Sequence, residues 1–388
     1  MVIQPMIRNN VCLNAHPVGC AKYVEREVAY VDNAGPVSGP KSALIIGGSA
    51  GYGLATRIVA AFGAKTPTVA VAFEKPATGK RTATVGWYNT AAFEKEAVRR
   101  GVEARTIYGD AFSHEIKRQT VETIKEELGT VDLVVYSLAS GLRIDPDTGE
   151  QYRSALKPTG SSYTAKSLDP MTGAVSEATI EPATEEEAAA TVKVMGGEDW
   201  ELWIRALKDG GVLAEGAMTV AYSYVGPEVT QPIYRDGTIG KAKEHLESTA
   251  STLTDALSDI GGRAYVSVNK AVVTRASAVI PVVPLYFAIL FQVMKEKGLH
   301  EGPIEQMYRL FKEQLYSDEG PRTDDEGRIR MDDWEMRDDV QEEVARRWKI
   351  VNESNVSELS DLDSYRNEFL RIHGFGLDEV DYNADVEP

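Results

Sequence analysis

The chain has 388 residues, enough to bury a full hydrophobic core as one large domain or as a domain with additions. Its formal net charge of −17 argues against nucleic-acid binding, which needs a basic surface. Most of the excess acid lies late in the chain, where residues 317–388 hold 22 Asp and Glu against 9 Lys and Arg. We interpret this acid as the solvated surface of C-terminal helices and infer no partner from it.

Residues 1–41 contain short apolar runs and turn signals, so we expect an N-terminal extension that packs on the main fold. Cys12, His16 and Cys20 lie close together in this extension. Three ligands in nine residues fit no standard zinc spacing, and no other cysteine could complete a site, so no metal site is predicted.

The sequence contains no segment typical of secretion or membrane insertion. The first residues lack the uninterrupted apolar core of a signal peptide. The longest apolar run, 278–291, contains Pro281 and Pro284 and falls short of the roughly 20 apolar residues that span a bilayer. We therefore expect a cytoplasmic protein with neither a membrane nor a nucleic acid as partner.

Residues 42–63 predict a strand, a tight turn and a helix, because an apolar run leads into glycines and then into an alanine-rich helical pattern. Gly47, Gly51 and Gly53 stand in G-x3-G-x-G spacing in the turn. Glycine is needed where a turn requires positive φ, where a pyrophosphate approaches the backbone, and where a helix lies close on a strand. The pattern favours a dinucleotide-binding turn over a strand-to-helix turn that binds nothing.

The next apolar run, 68–73, ends at Glu74, 21 residues after Gly53. A dinucleotide-binding fold places the carboxylate that binds the adenosine ribose hydroxyls about 20 residues after the glycine turn. The charge of Glu74 would repel a 2′-phosphate and so predicts NADH over NADPH. Basic residues in the following loop, 75–81, would weaken that preference.

From residue 43 onward predicted strands and helices alternate. This alternation predicts an α/β fold with a doubly wound parallel (Rossmann) sheet, because parallel strands need crossovers and the crossovers are helices. The predicted strands are 43–48, 68–73, 103–108, 131–137, 218–224 and 263–268. The predicted helices are 53–63, 90–100, 113–128, 185–194, 199–208 and 241–260, followed by an apolar stretch, 278–294, and an acidic helical tail.

Residues 145–195 interrupt this alternation. Turn dipeptides there flank short β-like segments such as 174–180, which predicts an insertion with a β-hairpin beside the active-site mouth. The expected organisation is thus the extension 1–41, a dinucleotide-binding and catalytic domain 42–295, and a helical C-terminal region 296–388 in the same globular unit.

Two further strand ends carry candidate cofactor residues. Asp110 and Ala111 follow the third strand, where a carboxylate or backbone group can contact the adenine; a helix N-cap explains them equally well. Leu138 and Ala139 follow the fourth strand, at the carboxyl edge of the sheet where ligands collect. Their small neighbours would let a dinucleotide pass over the strand tip.

Tyr234 and Lys243 follow the fifth predicted strand with eight residues between them. On one continuous helix they would face opposite sides, roughly 13.5 Å apart along the axis. Gly237 and Gly240 instead let Tyr234 lie in a loop ahead of the helix while Lys243 occupies its first turns. Both side chains could then converge on the nicotinamide.

Four motifs together resemble the trans-2-enoyl-CoA reductase family, which includes the V-type enoyl-acyl-carrier-protein reductases of bacterial fatty-acid synthesis. They are Gly47-Gly-Ser-Ala-Gly-Tyr-Gly53, Phe73-Glu-Lys-Pro76, Val85-Gly-Trp-Tyr-Asn89 and Tyr234-x8-Lys243. The resemblance covers nearly the whole chain and implies NADH as cofactor, a largely monomeric protein and a larger C-terminal region than short-chain dehydrogenases have. Some relatives carry a second lysine after the catalytic one, where this chain has Glu244, so that lysine's role does not transfer.

The resemblance implies reduction of the C2=C3 double bond in trans-2-enoyl thioesters of coenzyme A or acyl carrier protein. Hydride passes from nicotinamide C4 to C3 and leaves an enolate at the thioester oxygen. The Tyr234 hydroxyl would donate to that oxygen, supported by Tyr224, and Lys243 would hold the nicotinamide ribose. Tyr224 has an alternative interpretation as a strand residue that packs in the sheet.

The remaining site residues follow from the same resemblance. The additional cofactor residues are Gly48, Ser49, Tyr52, Phe73 and Thr274, the last with a turn or capping role as an equal alternative. The apolar stretch 278–294 is interpreted equally as core helix or as acyl-chain pocket, with the lining residues Ile280, Phe287 and Phe291.

Two other functions stay open. A ketone reductase of the short-chain class would need Tyr-x3-Lys after the fifth strand, whereas the pair Tyr308 and Lys312 lies beyond the sixth strand and is interpreted as structural. A non-catalytic NAD(H)-binding redox sensor would keep the glycine turn and Glu74 but would have no need of Tyr234 and Lys243.

Overall fold

The computed structural model describes residues 1–8, 11–274, 280 and 282–388. In chain order the strands are β1 (Ile7–Arg8), β2 (Val11–Cys12), β3 (Ala43–Ile46), β4 (Thr68–Ala72), β5 (Ala104–Tyr108), β6 (Val131–Tyr136), β7 (Leu142–Ile144), β8 (Gln151–Arg153), β9 (Tyr163–Leu168), β10 (Val175–Ile180), β11 (Leu213–Ser223), β12 (Arg263–Val268) and β13 (Arg328–Arg330). The α-helices are α1 (Pro17–Ala34), α2 (Gly51–Ile58), α3 (Val85–Arg100), α4 (His114–Glu127), α5 (Glu185–Met195), α6 (Glu198–Asp209), α7 (Thr238–Ala256), α8 (Val283–Glu296), α9 (Pro303–Leu310), α10 (Asp338–Ile350), α11 (Val356–Leu359) and α12 (Leu362–Arg371). Two π-helical turns, Val59–Gly63 and Phe311–Leu315, extend α2 and α9.

Seven parallel strands form the central sheet in the order β13-β12-β11-β6-β3-β4-β5. The order runs outward in both directions from β3, which confirms the predicted doubly wound fold. Strand β3 shows why both faces must be covered, since its four residues are fully buried. Ala43 and Ile45 pack in a cluster with α1, α2 and α9, whereas Leu44 and Ile46 pack with α4, α6 and α7 on the opposite face.

All six predicted strands are present, but the structure adds a seventh. Strand β13, Arg328–Arg330, pairs with β12 at the edge of the sheet, so the C-terminal region is not only helical. Three residues in an acidic, turn-rich stretch are too few to show an alternating pattern, and the completely buried Ile329 is the only apolar one.

Helix α1 was not predicted, although its termini carry recognisable signals. The His16 side chain accepts a hydrogen bond from the Gly19 amide as N-cap, Pro17 occupies the first turn, and Gly35 ends the helix with φ at 91°. The valines on one face of this 18-residue helix are buried in the apolar cluster that contains Ala43 and Ile45 of β3. The extension is therefore part of the core. Helix α3 also begins earlier than expected, at Val85 rather than 90.

The insertion contains two antiparallel hairpins, β7–β8 and β9–β10, where one was predicted. Leu168 of β9 belongs to a third apolar cluster, which is built around α8 with α10 and α12. The first residues of the predicted apolar stretch, 278, 279 and 281, lie outside the described residues, and α8 itself begins at Val283. No helix in the described part of the chain is long and apolar enough to cross a bilayer.

Candidate active site

The turn after β3 has the backbone geometry that its glycines predict. Gly47 adopts φ +87° and Gly51 adopts φ +54°, both in the left-handed region. A Cβ on Gly47 would lie 2.2 Å from the Ser137 carbonyl oxygen beyond β6, and one on Gly53 would lie 2.1 Å from the Gly47 carbonyl oxygen. Any side chain at these positions would open the contact between the turn, α2 and the neighbouring strand.

Glu74 lies just beyond β4 and contacts the glycine turn. Its Oε1 accepts a hydrogen bond of 2.8 Å from the Ser49 hydroxyl, whereas its buried Oε2 has no hydrogen-bond partner among the described residues. A Cβ on Gly86, in the first turn of α3, would lie only 2.1 Å from Glu74 Oε1. Gly86 belongs to a motif that the sequence analysis named, but this role was missed because it depends on how closely α3 approaches the Glu74 carboxylate.

Asp110 does not cap a helix. Its Oδ1 accepts from the Phe112 amide at 3.0 Å in a tight turn, and Ser113 is the N-cap of α4. The N-cap alternative for Asp110 is therefore wrong, and its partly buried side chain lies at the carboxyl edge of the sheet.

A buried ion pair holds the neighbouring Ala111. The Lys117 ammonium donates to the Ala111 carbonyl at 2.9 Å and to Asp199 Oδ1 at 2.7 Å. Asp199 Oδ2 accepts from the Tyr136 hydroxyl at 3.0 Å, at the end of β6. Burial lowers the pKa of Lys117 and raises that of Asp199. The pair thus connects two of the strand ends at which the cofactor was expected.

The other expected cofactor residues lie along the same edge. Leu138 is partly buried and Ala139 exposed beyond β6, while Phe73 is 69 % exposed beyond β4. The Tyr52 hydroxyl donates to the Lys270 carbonyl at 2.7 Å, which ties the glycine turn to the segment after β12. The partly buried Thr274 lies further along that segment. Gly48 packs tightly, since a Cβ there would lie 2.9 Å from that of Ala70.

Tyr234 lies in a loop and Lys243 in the second turn of α7, as the sequence predicts. The loop folds back tightly on the helix start. A Cβ on Gly240 would lie 1.9 Å from the Arg235 carbonyl oxygen, and one on Gly237 would lie 2.2 Å from that of Ile233. Both glycines are thus needed for the close approach of loop and helix, rather than for positive φ.

Tyr224 and Tyr234 contact each other at the end of β11. Their ring centroids are 4.9 Å apart in an edge-to-face arrangement. The Tyr224 hydroxyl donates to Glu335 Oε1 at 3.1 Å, whereas the Tyr234 hydroxyl makes no hydrogen bond with the described residues. Burial raises the pKa of both tyrosines, so both are protonated at neutral pH.

Lys243 is partly buried, and its ammonium makes no hydrogen bond or ion pair within the part of the chain that the structure describes. Burial lowers its pKa to about 8, against the opposing charge of Glu247. The amine is therefore mostly charged at neutral pH and available to a ligand.

Ile280, Phe287 and Phe291 are almost completely buried, and they belong to the same apolar cluster as Tyr234. The rings of Phe287 and Phe291 stack with centroids 6.0 Å apart. The expected acyl-pocket residues and the expected oxyanion donor thus lie in one apolar region.

Tyr308 has a structural contact, as interpreted from the sequence. Its hydroxyl donates to the carbonyl oxygens of Ala34 at 2.7 Å and Gly35 at 3.2 Å, which ties α9 to the end of α1. Cys12 and Cys20 are buried and are not joined in a disulfide, and no group of three or more His, Cys, Asp or Glu side chains among the described residues could hold a metal ion.

Three family models match the chain. Their descriptions are an NAD(P)H binding domain of trans-2-enoyl-CoA reductase (residues 2–79), a trans-2-enoyl-CoA reductase catalytic region (81–316) and an enoyl reductase FAD binding domain (323–386). Together they account for almost the entire chain.

Relatives match over nearly their full length. An enoyl-[acyl-carrier-protein] reductase [NADH] of Flavobacterium johnsoniae is 54 % identical over 386 residues, covering 100 % of this chain and 98 % of the relative. One of the same name from Coxiella burnetii is 56 % identical over 390 residues, covering 100 % and 96 %. The crystal structure of Treponema denticola trans-2-enoyl-CoA reductase in complex with NAD has a TM-score of 0.96 and 53 % identity, covering 100 % and 98 %.

Residues 323–386 do not fit a flavin. The inner side chains of α10 and α12, among them Val344 and Phe369, are buried against α8 in one apolar cluster. Among the glycines of this segment Gly374 has the closest neighbours, and these are the N-cap His16 and Cys20 of α1 rather than an open phosphate cradle. We therefore derive no step through FAD.

Proposed function

Because the chain belongs to the trans-2-enoyl-CoA reductase family, we propose that it reduces the C2=C3 double bond of trans-2-enoyl thioesters with NADH, as a step of fatty-acid synthesis. The observation that supports this most is the hydroxyl of Tyr234, which has no hydrogen-bond partner among the described residues and lies in an apolar cluster with the expected acyl-pocket residues. A redox sensor would have no use for such a group, and a short-chain ketone reductase would carry its tyrosine and lysine on one helix.

NADH supplies the hydride that adds to C3 of the substrate. We assign its binding to the glycine turn (Gly47, Gly48, Ser49, Gly51, Tyr52 and Gly53) and to the strand ends (Phe73, Glu74, Asp110, Ala111, Leu138, Ala139 and Thr274). The Oε2 of Glu74, which has no partner in the part of the chain that the structure describes, is suited to accept from a ribose hydroxyl. A 2′-phosphate would bring negative charge to the same carboxylate, which supports the preference for NADH.

Hydride addition at C3 moves negative charge to the thioester oxygen, and a donor already in place lowers the energy of that state; a proton added at C2 then completes the reduction. We assign this role to the Tyr234 hydroxyl, which remains protonated because burial raises its pKa. Loss of one such donor costs on the order of 3 kcal/mol of transition-state stabilisation. Lys243 would hold the nicotinamide ribose and add positive charge near the enolate.

The acyl chain would lie against Ile280, Phe287 and Phe291. Coenzyme A and acyl carrier protein present the same thioester and pantetheine arm, so we propose that the site accepts enoyl thioesters of either carrier. We further propose that the enzyme acts in the cytoplasm as a monomer.

The test follows NADH absorbance with crotonyl-CoA, crotonyl-acyl carrier protein and, as control, acetoacetyl-CoA. We expect oxidation of NADH with the enoyl thioesters and none with the ketone. Turnover of the ketone alone would favour the short-chain ketone reductase. Tight NADH binding without turnover of any substrate would favour the redox sensor.

A further inference from the structure

Glu335 is a fully buried carboxylate between β13 and α10, outside every motif that the sequence analysis singled out. Three donors from three different elements converge on it. Its Oε1 accepts from the Tyr286 hydroxyl of α8 at 2.6 Å and from the Tyr224 hydroxyl beyond β11 at 3.1 Å. Its Oε2 accepts from the Ala271 amide beyond β12 at 2.6 Å.

Burial raises the pKa of Glu335, and its surroundings offset part of that effect. Buried charges persist where hydrogen bonds and opposite charge compensate for lost water. The ammonium of Lys270, itself 1 % exposed, attracts the carboxylate and lowers its pKa, against the larger effect of burial, which raises it. Lys270 is held in place, because its Nζ donates to the Ala271 carbonyl at 2.8 Å and its amide donates to Gln306 at 2.9 Å.

Two of the three donors anchor the carboxylate, and the third is a member of the proposed active site. Tyr286 is fully buried in α8, and its hydroxyl lies 3.4 Å from the Gln341 amide nitrogen, which donates to it, so its own proton faces Glu335. Ala271 is backbone. The position of the carboxylate is therefore fixed by the fold, and it in turn fixes the Tyr224 hydroxyl.

The Tyr224 hydroxyl can donate only one hydrogen bond. A tyrosine hydroxyl has one proton, and that of Tyr224 is donated to Glu335. Tyr224 therefore braces the ring of Tyr234 edge to face without competing with it as a donor.

We propose that Glu335 is a positioning residue of the reductase, which acts on the reaction by holding Tyr224 against Tyr234. This inference rests on the proposed function. It assigns a part in the reductase site to the C-terminal segment, although that segment lies outside the matched catalytic region.

The test compares Glu335→Gln with Tyr224→Phe and with the double variant. Glutamine keeps the shape, but its amide nitrogen cannot accept and must face either the Ala271 amide or the two tyrosine hydroxyls, so the side chain has to leave the position in which it holds Tyr224. We expect kcat with crotonyl-CoA to fall about tenfold or more, the scale of a misplaced active-site group, while the KM values for NADH and crotonyl-CoA stay within about threefold. The double variant should lose no more than the more impaired single variant, because both changes break one contact.

Asp332→Asn is the matched control. Asp332 is also buried, three residues before Glu335, and its carboxylate pairs with Arg330 rather than with a tyrosine. We expect a lower melting temperature but kcat within about twofold of wild type. If Glu335→Gln does not fold, Glu335→Asp, which keeps the charge but shortens its reach, takes its place with the same expected loss.

Three results would overturn the assignment: a folded Glu335→Gln variant with wild-type kcat, an equal loss of kcat in Asp332→Asn, or losses that multiply in the double variant. Wild-type turnover is measured in the same assay, so failure of the proposed function is recognised separately. An inactive wild type would overturn both the function and the role of Glu335 that rests on it.

Discussion

The rings of Tyr224 and Tyr234 meet edge to face, with centroids 4.9 Å apart and planes at 85°. Only one of the two hydroxyls is available to a ligand, because that of Tyr224 donates to Glu335 and that of Tyr234 has no partner among the described residues. An oxygen that gains negative charge beside this pair therefore meets one available donor, Tyr234.

Tyr234→Phe should lower kcat for enoyl reduction about a hundredfold or more, the effect of removing one oxyanion donor. The ring stays and the apolar packing is preserved, so the melting temperature should change little. NADH oxidation with crotonyl-CoA, measured on folded protein, checks the rate.

Tyr222→Phe is the control for this change. Tyr222 lies two residues before Tyr224, and its hydroxyl is 2.6 Å from Thr56 Oγ1, away from Tyr234. We expect it to retain kcat within about threefold and to lose about 1 kcal/mol of stability with the hydrogen bond. Equal losses of kcat in the two variants would show that the donor is not Tyr234.

Gly86→Ala should weaken NADH binding by displacing Glu74. The new Cβ would lie 2.1 Å from Glu74 Oε1, so the carboxylate must leave the Ser49 hydroxyl. We expect the KM for NADH to rise about tenfold and the discrimination against NADPH to fall, which steady-state assays with both cofactors measure.

A double-mutant cycle separates displacement of Glu74 from general damage to α3. In a Glu74→Ala background the clash with the carboxylate is gone and only the 2.7 Å approach to the Cβ of Ser49 remains, so adding Gly86→Ala should raise the KM for NADH by less than it does in the wild type. Effects that multiply would show that Gly86 acts elsewhere. A Glu74→Ala variant that still discriminates strongly against NADPH would refute the role of the carboxylate itself.

The sequence predicted those parts of the molecule in which local pattern and packing agree. The strands β3 and β4 are buried on both faces and appear as apolar runs, broken only by Thr68 at the start of β4, and Gly47 and Gly53 mark a contact that only glycine permits. The loop position of Tyr234 followed from the helical period together with two glycines.

The remaining features depend on contacts between residues far apart in the chain. Glu335 stands in an acidic stretch where nothing local separates a buried carboxylate from the solvated ones around it. The role of Gly86 depends on how the loop 75–84 brings the start of α3 against Glu74 and against Ser49 of the glycine turn. Helix α1 is the exception. His16, Pro17 and Gly35 are residues typical of helix termini, but they were interpreted only as turn signals.

Asp199→Asn should destabilise the protein by about 3–5 kcal/mol, because the Lys117 ammonium would remain buried without its counter-charge. Thermal unfolding measures the loss. Asp259→Asn removes the partner of Lys208 from an exposed pair and should lower the melting temperature far less. Similar melting temperatures for the two variants would contradict the difference in burial on which the prediction depends.

The alkaline limb of kcat/KM should report Lys243. Burial lowers the pKa of this amine to about 8, and the charge of Glu247 opposes that shift. The charged form that would hold the ribose is present below that pH and is lost as the pH rises through it, so activity should fall above about pH 8. The hydroxyl of Tyr234 cannot cause this limb, because burial raises its pKa further above neutrality.

Two variants test this assignment. Glu247→Gln removes the group that raises the pKa of the Lys243 amine and should move the limb toward lower pH. Lys243→Arg stays charged and should abolish the limb at a lower overall rate. The same limb in all three proteins would assign it to another group.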